Sequence, residues 1–232
     1  MGDVANFLAS TNGLQFINSW PNEPDIVVNV ASVGSVTIGS ASNGLCGGMV
    51  FTVLDVFTAK RPPLVDPEPP AGSPLFTYIV QRLMDSWDLP TGVLTYYQWM
   101  NLPDADTGVW VATLHGVGWH TITEEWPLIR AQLDAGHLAP LGLVTVSSAD
   151  PSLLGKNHQV LAYGYQLDGT QLTIKVYDPN TDPSSGDGVT ISLSLANPGG
   201  TTPITHNVGI SEGIRGFFHV PYTPANPSAL GA

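Results

Sequence analysis

Three side chains, far apart in the chain, have the types that nucleophilic catalysis uses: Cys46, His158 and Asp178. Cys46 stands in SNGLCGGMVF and is the only cysteine in 232 residues. It has no partner for an internal disulfide and cannot hold a metal alone. It is therefore either a small buried apolar residue or a nucleophile. Apolar residues recur after it at helical spacing, at Met49, Val50, Val53, Leu54 and Phe57, which predicts a helix from Cys46 to Thr58, closed by Pro62 and Pro63. A thiol in the first turn of a helix meets free N–H groups and the positive end of the dipole, and both favour the thiolate. Gly44, Gly47 and Gly48 leave room for a substrate backbone to approach, and the N–H groups of that turn can donate to an oxyanion. Taken by itself, however, Cys46 is in phase with the apolar face of its helix and reads as filler.

A thiol nucleophile needs a histidine base that is close in space rather than in sequence. Of six histidines, His115, His120, His137, His206 and His219 lie in loops or late β-rich sequence without an obvious partner. His158 opens a strand in GKNHQVLAYGYQLDGTQLTIKVYDPNTD. That strand turns at Asp168-Gly169 and its return delivers Asp178 and Asn180. Counting from the turn, His158 and Asp178 face one another across the hairpin. A carboxylate there fixes the imidazole tautomer and stabilises the imidazolium. Asn180 is a second orienting candidate. Singly, His158 reads as a strand-end histidine and Asp178 as the first residue of a DPN turn.

A cysteine starting a helix in the first half, then NHQV opening a strand and YDPN closing its hairpin, resembles the papain-like cysteine peptidase superfamily. Within it, the likeness is to the group allied to double-glycine, bacteriocin-processing peptidases and to papain-like proteins carrying LCGGM. It spans residues 40–180 or so. The resemblance implies Cys46 as nucleophile, His158 as base and Asp178 as orienting residue, acting on a peptide or amide substrate through a thioacyl intermediate. It also implies an α+β fold, with a helical half carrying the cysteine packed on an antiparallel β half carrying the histidine. The family places a glutamine six residues before the cysteine to complete the oxyanion hole; this chain has Ser40 there. Asn43 and Gln15 are the substitutes in view. With that donor lacking, an inactive binding or structural protein on the same fold is the competing expectation, alongside an acyltransferase or deamidase using the same three residues.

The elements that must position these residues follow in order. The mixed runs DIVVNV and SVTIGS read as short strands. KRPPLVDPEPPAGSP is a stiff crossing loop. PLFTYIVQRLMDSW forms a helix with Pro74 in its first turn. A third helix is expected over TITEEWPLIRAQLDAGH, with Thr121 and Thr123 as cap candidates and Gly136 as its stop. TYYQWM, with Tyr96, Tyr97 and Trp99, lines a groove or joins the core. Then APLGLVTVSS, QVLAYGYQL, QLTIKVYD, GVTISLSL and IRGFFHVPY read as strands. The order is one domain, helix-rich to about residue 136 and an antiparallel sheet to about residue 222.

Composition narrows the functions. Seven basic against nineteen acidic residues give a net charge of −12, which argues against nucleic acid and against anionic membrane surfaces. No stretch of about 18 apolar residues suggests a transmembrane helix. MGDVANFLASTNG has neither the basic and apolar regions of a signal peptide nor, with Asn6, the myristoylation pattern. Cytoplasmic and secreted locations both stay open. DPNTDPSSGDG has Pro183 where a calcium loop has glycine, and HGVGWH lacks the spacing of a zinc helix, so no metal or cofactor is expected.

Overall fold

A computed structural model describes residues 2–20, 26–30, 34–38, 44–87, 91–109 and 112–230. The fold is α+β, with helices in the first half and an antiparallel sheet in the second. In chain order the elements are β1 (Gly2–Asp3), α1 (Ala9–Asn12), β2 (Ile26–Val30), β3 (Gly34–Ile38), α2 (Cys46–Thr58), α3 (Pro74–Ser86) and α4 (Thr91–Asn101). They continue with β4 (Thr107–Val109), β5 (Ala112–Leu114), α5 (Val117–His120), α6 (Trp126–Asp134), β6 (Ala139–Val144), β7 (His158–Asp168), β8 (Gln171–Tyr177), β9 (Thr190–Ser194), β10 (Ile204–His206) and β11 (Gly216–His219). The main sheet runs β10-β9-β8-β7-β6-β11, and β1 pairs with β7 beyond the end of β6. No helix among the described residues is long and apolar enough to cross a membrane.

The helix α2 is buried from Cys46 to Val56. It packs against α3 and against β7, and a helix covered on several sides must be apolar nearly all round. Its two glycines make this possible. A Cβ on Gly48 would collide with the backbone of Ile79 in α3, and one on Gly47 with Ser86 and Gln159. The sequence reading placed substrate backbone against these glycines; the space is filled instead by α3 and by β7. Midway along α2, buried Asp55 takes the Nε of Arg82 at 2.6 Å, the hydroxyls of Tyr78 and Tyr222 at 2.8 and 2.6 Å, and the Ala225 N–H at 2.9 Å. This carboxylate ties α2, α3 and the C-terminal segment together.

Two expectations about helices need correction. The third helix does not start at Thr121. It begins at Val117 and runs through one wide π-type turn, Thr121–Glu125, into α6. Thr121 is no cap: it is buried, and its hydroxyl bonds both the N–H and the carbonyl of Phe217 at 3.1 and 3.3 Å. The glycines of HGVGWH argued for a loop, yet Gly118 sits inside the helical turn because Thr202 packs against it too closely for a side chain. The second correction is α4, which the sequence left as an unassigned aromatic cluster. It is a helix that buries Val93, Tyr96, Trp99 and Met100, so TYYQWM belongs to the core.

Gly48→Ala should destabilise the fold by about 1–3 kcal/mol, because the added methyl forces apart two helices in a close-packed core. Urea denaturation of the variant checks this. A cost near zero would mean that α2 and α3 pack less closely than described.

Candidate functional site

Cys46 is the first residue of α2. The first N–H groups of a helix have no acceptor within it, and Met49 is the first to donate back, to Leu45 at 2.9 Å. His158 is the first residue of β7. It is delivered by a short 3₁₀ turn, Pro151–Lys156, against which β3 packs. Asn157 pins the junction: its side-chain carbonyl accepts from Thr145 N–H at 3.1 Å and its amide donates to the Leu154 carbonyl at 3.0 Å.

The hairpin brings His158 to Asp178, though not by direct facing. The turn residues are Gly169 and Thr170, since Asp168 pairs with Gln171. A bulge between Ala162 and Gly164 then shifts the register, so that Leu161 pairs with Tyr177. Continued by one residue, this register sets Asp178 opposite Val160 and diagonal to His158. Diagonal neighbours remain within reach of long side chains, and His158 Nε2 lies 2.7 Å from Asp178 Oδ1.

Asp178 is held by four donors. Besides His158, the Asn180 N–H binds Oδ1 at 3.0 Å, while the Thr181 hydroxyl and the Gly209 N–H bind Oδ2, each at 2.6 Å. Burial opposes its charge, but the hydrogen bond and charge of His158, with those from Thr181 and Gly209, hold its pKa down to about 2. With Nε2 occupied, the other ring nitrogen of His158 is the one left to face the neighbouring Cys46 sulfur, whose charge would favour a protonated ring. Burial works against a charged ring here too. The Cys46 sulfur and Asp178 outweigh it and push the His158 pKa up to about 10. Cys46, His158 and Asp178 are 6%, 3% and 2% exposed.

The other candidates fall as follows. Asn180 does not touch the imidazole; it donates its backbone N–H to Asp178, while its side chain joins Asn18 and Gly209. Gln15 donates its amide to the carbonyls of Ser10 and Gly13, at 3.1 and 2.9 Å, so it has no free donor for an oxyanion. Asn43 and Ser40 lie outside the described residues. The acids of DPNTDPSSGDG diverge: Asp178 holds His158, Asp182 caps a short turn through Ser184, and Asp187 binds Ser10.

Tyr96, from the TYYQWM cluster, and Gln159, which the sequence did not single out, complete the surroundings. The Tyr96 hydroxyl donates to the His158 carbonyl at 3.1 Å. Its pKa is raised well above the ordinary value by burial and by the adjacent Cys46. Gln159 is 3% exposed, lies beside Tyr96 and has no partner for its Oε1 among the described residues. A polar amide inside the apolar run QVLAYGY was the available signal. His158 and Asn180 also line a polar recess of about 330 Å³ with Lys156, Ser211 and Glu212. No metal-sized cluster of His, Cys, Asp and Glu occurs among the described residues. Comparison with known proteins returns no match: no family profile, no curated protein and no solved structure is similar to this chain.

The raised His158 pKa has a consequence for stability. The native state keeps a proton that the unfolded chain releases near the ordinary value of 6.5. That stabilisation is fully present below pH 6.5 and is lost as the pH rises through about 10. For Asp178 the order is reversed: its contribution is present above 3.8 and lost as the pH falls through about 2. In urea titrations, the advantage of the wild type over His158→Gln should shrink steadily between these two His158 values. A difference that stays constant across the window would exclude a buried imidazolium.

Proposed function

We propose that this protein is a cysteine-dependent hydrolase of peptide or amide bonds, working in the papain-like manner. The observation that carries this reading is Cys46, first residue of α2, beside a buried His158 ring that is bonded to an ionised, four-fold hydrogen-bonded Asp178. Filler requires none of this. A buried structural cysteine has no use for a charged imidazole, and an aspartate that only builds a turn has no use for a histidine.

The chemistry follows from the charges. The proposed reaction starts with the proton of the Cys46 thiol transferred and His158 as an imidazolium. The sulfur adds to the substrate carbonyl carbon, and the carbonyl π electrons move to oxygen. The free N–H groups at the start of α2, with the helix dipole behind them, are the proposed donors to that oxyanion. The tetrahedral adduct collapses, the C–N bond breaks, and His158 gives its proton to the departing amine. The product is a thioester on Cys46. His158, now neutral, takes a proton from water as the water adds to the thioester. The carboxylic acid leaves, and the proton on His158 restores the ion pair. Asp178 keeps the Nε2 proton in place throughout, which leaves the other nitrogen for the exchange. The polar recess beside His158, with Lys156 and Glu212 at its wall, suits a polar portion of the substrate.

Iodoacetamide should alkylate Cys46 in the folded protein at neutral pH. His158→Ala should slow that reaction about 100-fold, in the range expected for losing an acid–base partner. Asp178→Asn should slow it less, since the imidazole stays but loses its charge partner. Mass spectrometry of the labelled peptide over time gives all three rates. Labelling that appears only after unfolding would sink the proposal, and so would equal rates in wild type and His158→Ala.

A further inference from the structure

A second cavity lies on a different face from the cysteine. It encloses about 780 Å³, within the roughly 300–1,000 Å³ of small-molecule sites. Its walls come from the end of α2, the loop after β1, the end of α6 and the strands β6 and β11. Leu54, Phe57, Leu138 and Tyr222 supply apolar surface. Lys60, Arg61, His137 and His219 supply nitrogen, and among the described residues no carboxylate lines it.

That last fact stands out against the composition. Acids outnumber bases nineteen to seven, and Arg82, Arg130, Lys175 and Arg215 are each paired with a carboxylate. Arg61 holds the Pro227 carbonyl at 2.6 Å. Lys60 has no carboxylate within ion-pair distance among the described residues. His219 donates its backbone N–H to Glu125, which does not line the cavity, and burial lowers the pKa of its ring. His219 is therefore a neutral donor or acceptor at pH 7.

The backbone adds an independent observation. Both α2 and α6 end in the same way, with the N–H five residues on closing to a carbonyl of the last turn: Arg61 to Val56 at 3.0 Å, and His137 to Gln132 at 2.9 Å. Such an ending needs a left-handed residue just before. In α6 that residue is Gly136, at φ 76°. In α2 it is Lys60, at φ 55°, where a side chain is disfavoured. Asn6, at φ 65°, is the other non-glycine with positive φ among the described residues, and it lines the same cavity. Asparagine takes this conformation readily, so the strain sits at Lys60, and strain retained at a cavity wall points from backbone to ligand.

We propose that this cavity binds a small amphiphilic monoanion, a carboxylate with an aliphatic or aromatic body. The body lies on Leu54, Phe57, Leu138 and Tyr222. The head group takes the Lys60 ammonium, with the Asn6 amide and His137 as neighbouring donors. The site is independent of the thiol chemistry, since Cys46 is at the opposite end of α2.

Calorimetric titration with decanoate, against decan-1-ol as its uncharged counterpart, tests the proposal. Decanoate should bind at one site and about tenfold more tightly than the alcohol, as expected when one charge-assisted contact is added. Lys60→Gly removes the ammonium while giving the left-handed position the residue that suits it best, so the variant folds. It should bind both ligands alike. Cys46→Ala should bind decanoate as the wild type does. The proposal is overturned by an absence of saturable one-site binding, by equal affinities for decanoate in wild type and Lys60→Gly, or by loss of binding in Cys46→Ala.

Discussion

The ionised carboxylate of Asp178 is the interaction on which the rest of the site depends. A carboxylate taken out of water is costly unless nearly every lone pair finds a donor. Here four donors arrive from three parts of the chain: the start of β7, two adjacent positions in the turn after β8, and a loop some thirty residues on. Because the charge is satisfied by fixed groups, it can stay negative without water. A fixed negative charge then lets the buried imidazole beside it stay positive. Remove the Gly209 N–H or the Thr181 hydroxyl, and the carboxylate gains a reason to take a proton itself. The charge on His158, and with it the electrostatic partner of Cys46, is thus set by groups that never touch the sulfur.

The cysteine reaches this charge because α2 is allowed deep into the protein. Gly47 and Gly48 let its first turn lie against α3 and β7 without side chains between. Farther along, Asp55 is buried with Arg82 and two tyrosine hydroxyls. A buried pair of this kind contributes less to stability than to choosing one arrangement, since any slip of α2 along α3 would leave charges unpaired. Depth at the N-terminal end and fixed register in the middle together decide where the sulfur sits.

Much of this was legible in sequence where the signal was periodic or local. The bounds of α2, the pairing of β7 with β8 and the joining of His158 to Asp178 follow from apolar spacing and a turn. The two readings of Asp178, as turn former and as histidine partner, turn out to be one: the same carboxylate accepts the Asn180 N–H and the Thr181 hydroxyl of the DPNT turn and also the imidazole. What stayed hidden was non-local. Nothing near Asp178 announces Gly209. The diagonal offset of His158 comes from a bulge between Ala162 and Gly164, which an alternating apolar strand does not betray. The helical turn at Val117 was masked by two glycines whose reasons lie elsewhere, Gly116 against the backbone of Ala105 and Gly118 against Thr202, some eighty residues later. The double glycine was read from its neighbour Cys46, when its cause was the close approach of Ser86 and Gln159 to Gly47 and of the Ile79 backbone to Gly48.

One helix orders both proposed sites. With thirteen residues at about 1.5 Å each, α2 spans about 20 Å, too far for direct contact between groups at its two ends. Its dipole favours negative charge where Cys46 stands and positive charge where Lys60 and Arg61 follow. That alone accounts for basic residues beyond the C-terminal end, so their presence there is weak evidence for a ligand. It does not account for the conformation of Lys60. A lysine one residue earlier or later would interact with the dipole just as well, without a left-handed backbone. The analogous position in α6 is a glycine that meets no neighbour, so the fold does have an unstrained way to end a helix at this cavity. The helix ending explains why position 60 is left-handed and the dipole why a base suits it; a glycine would meet the first need without strain, and the lysine adds the cation that borders the cavity.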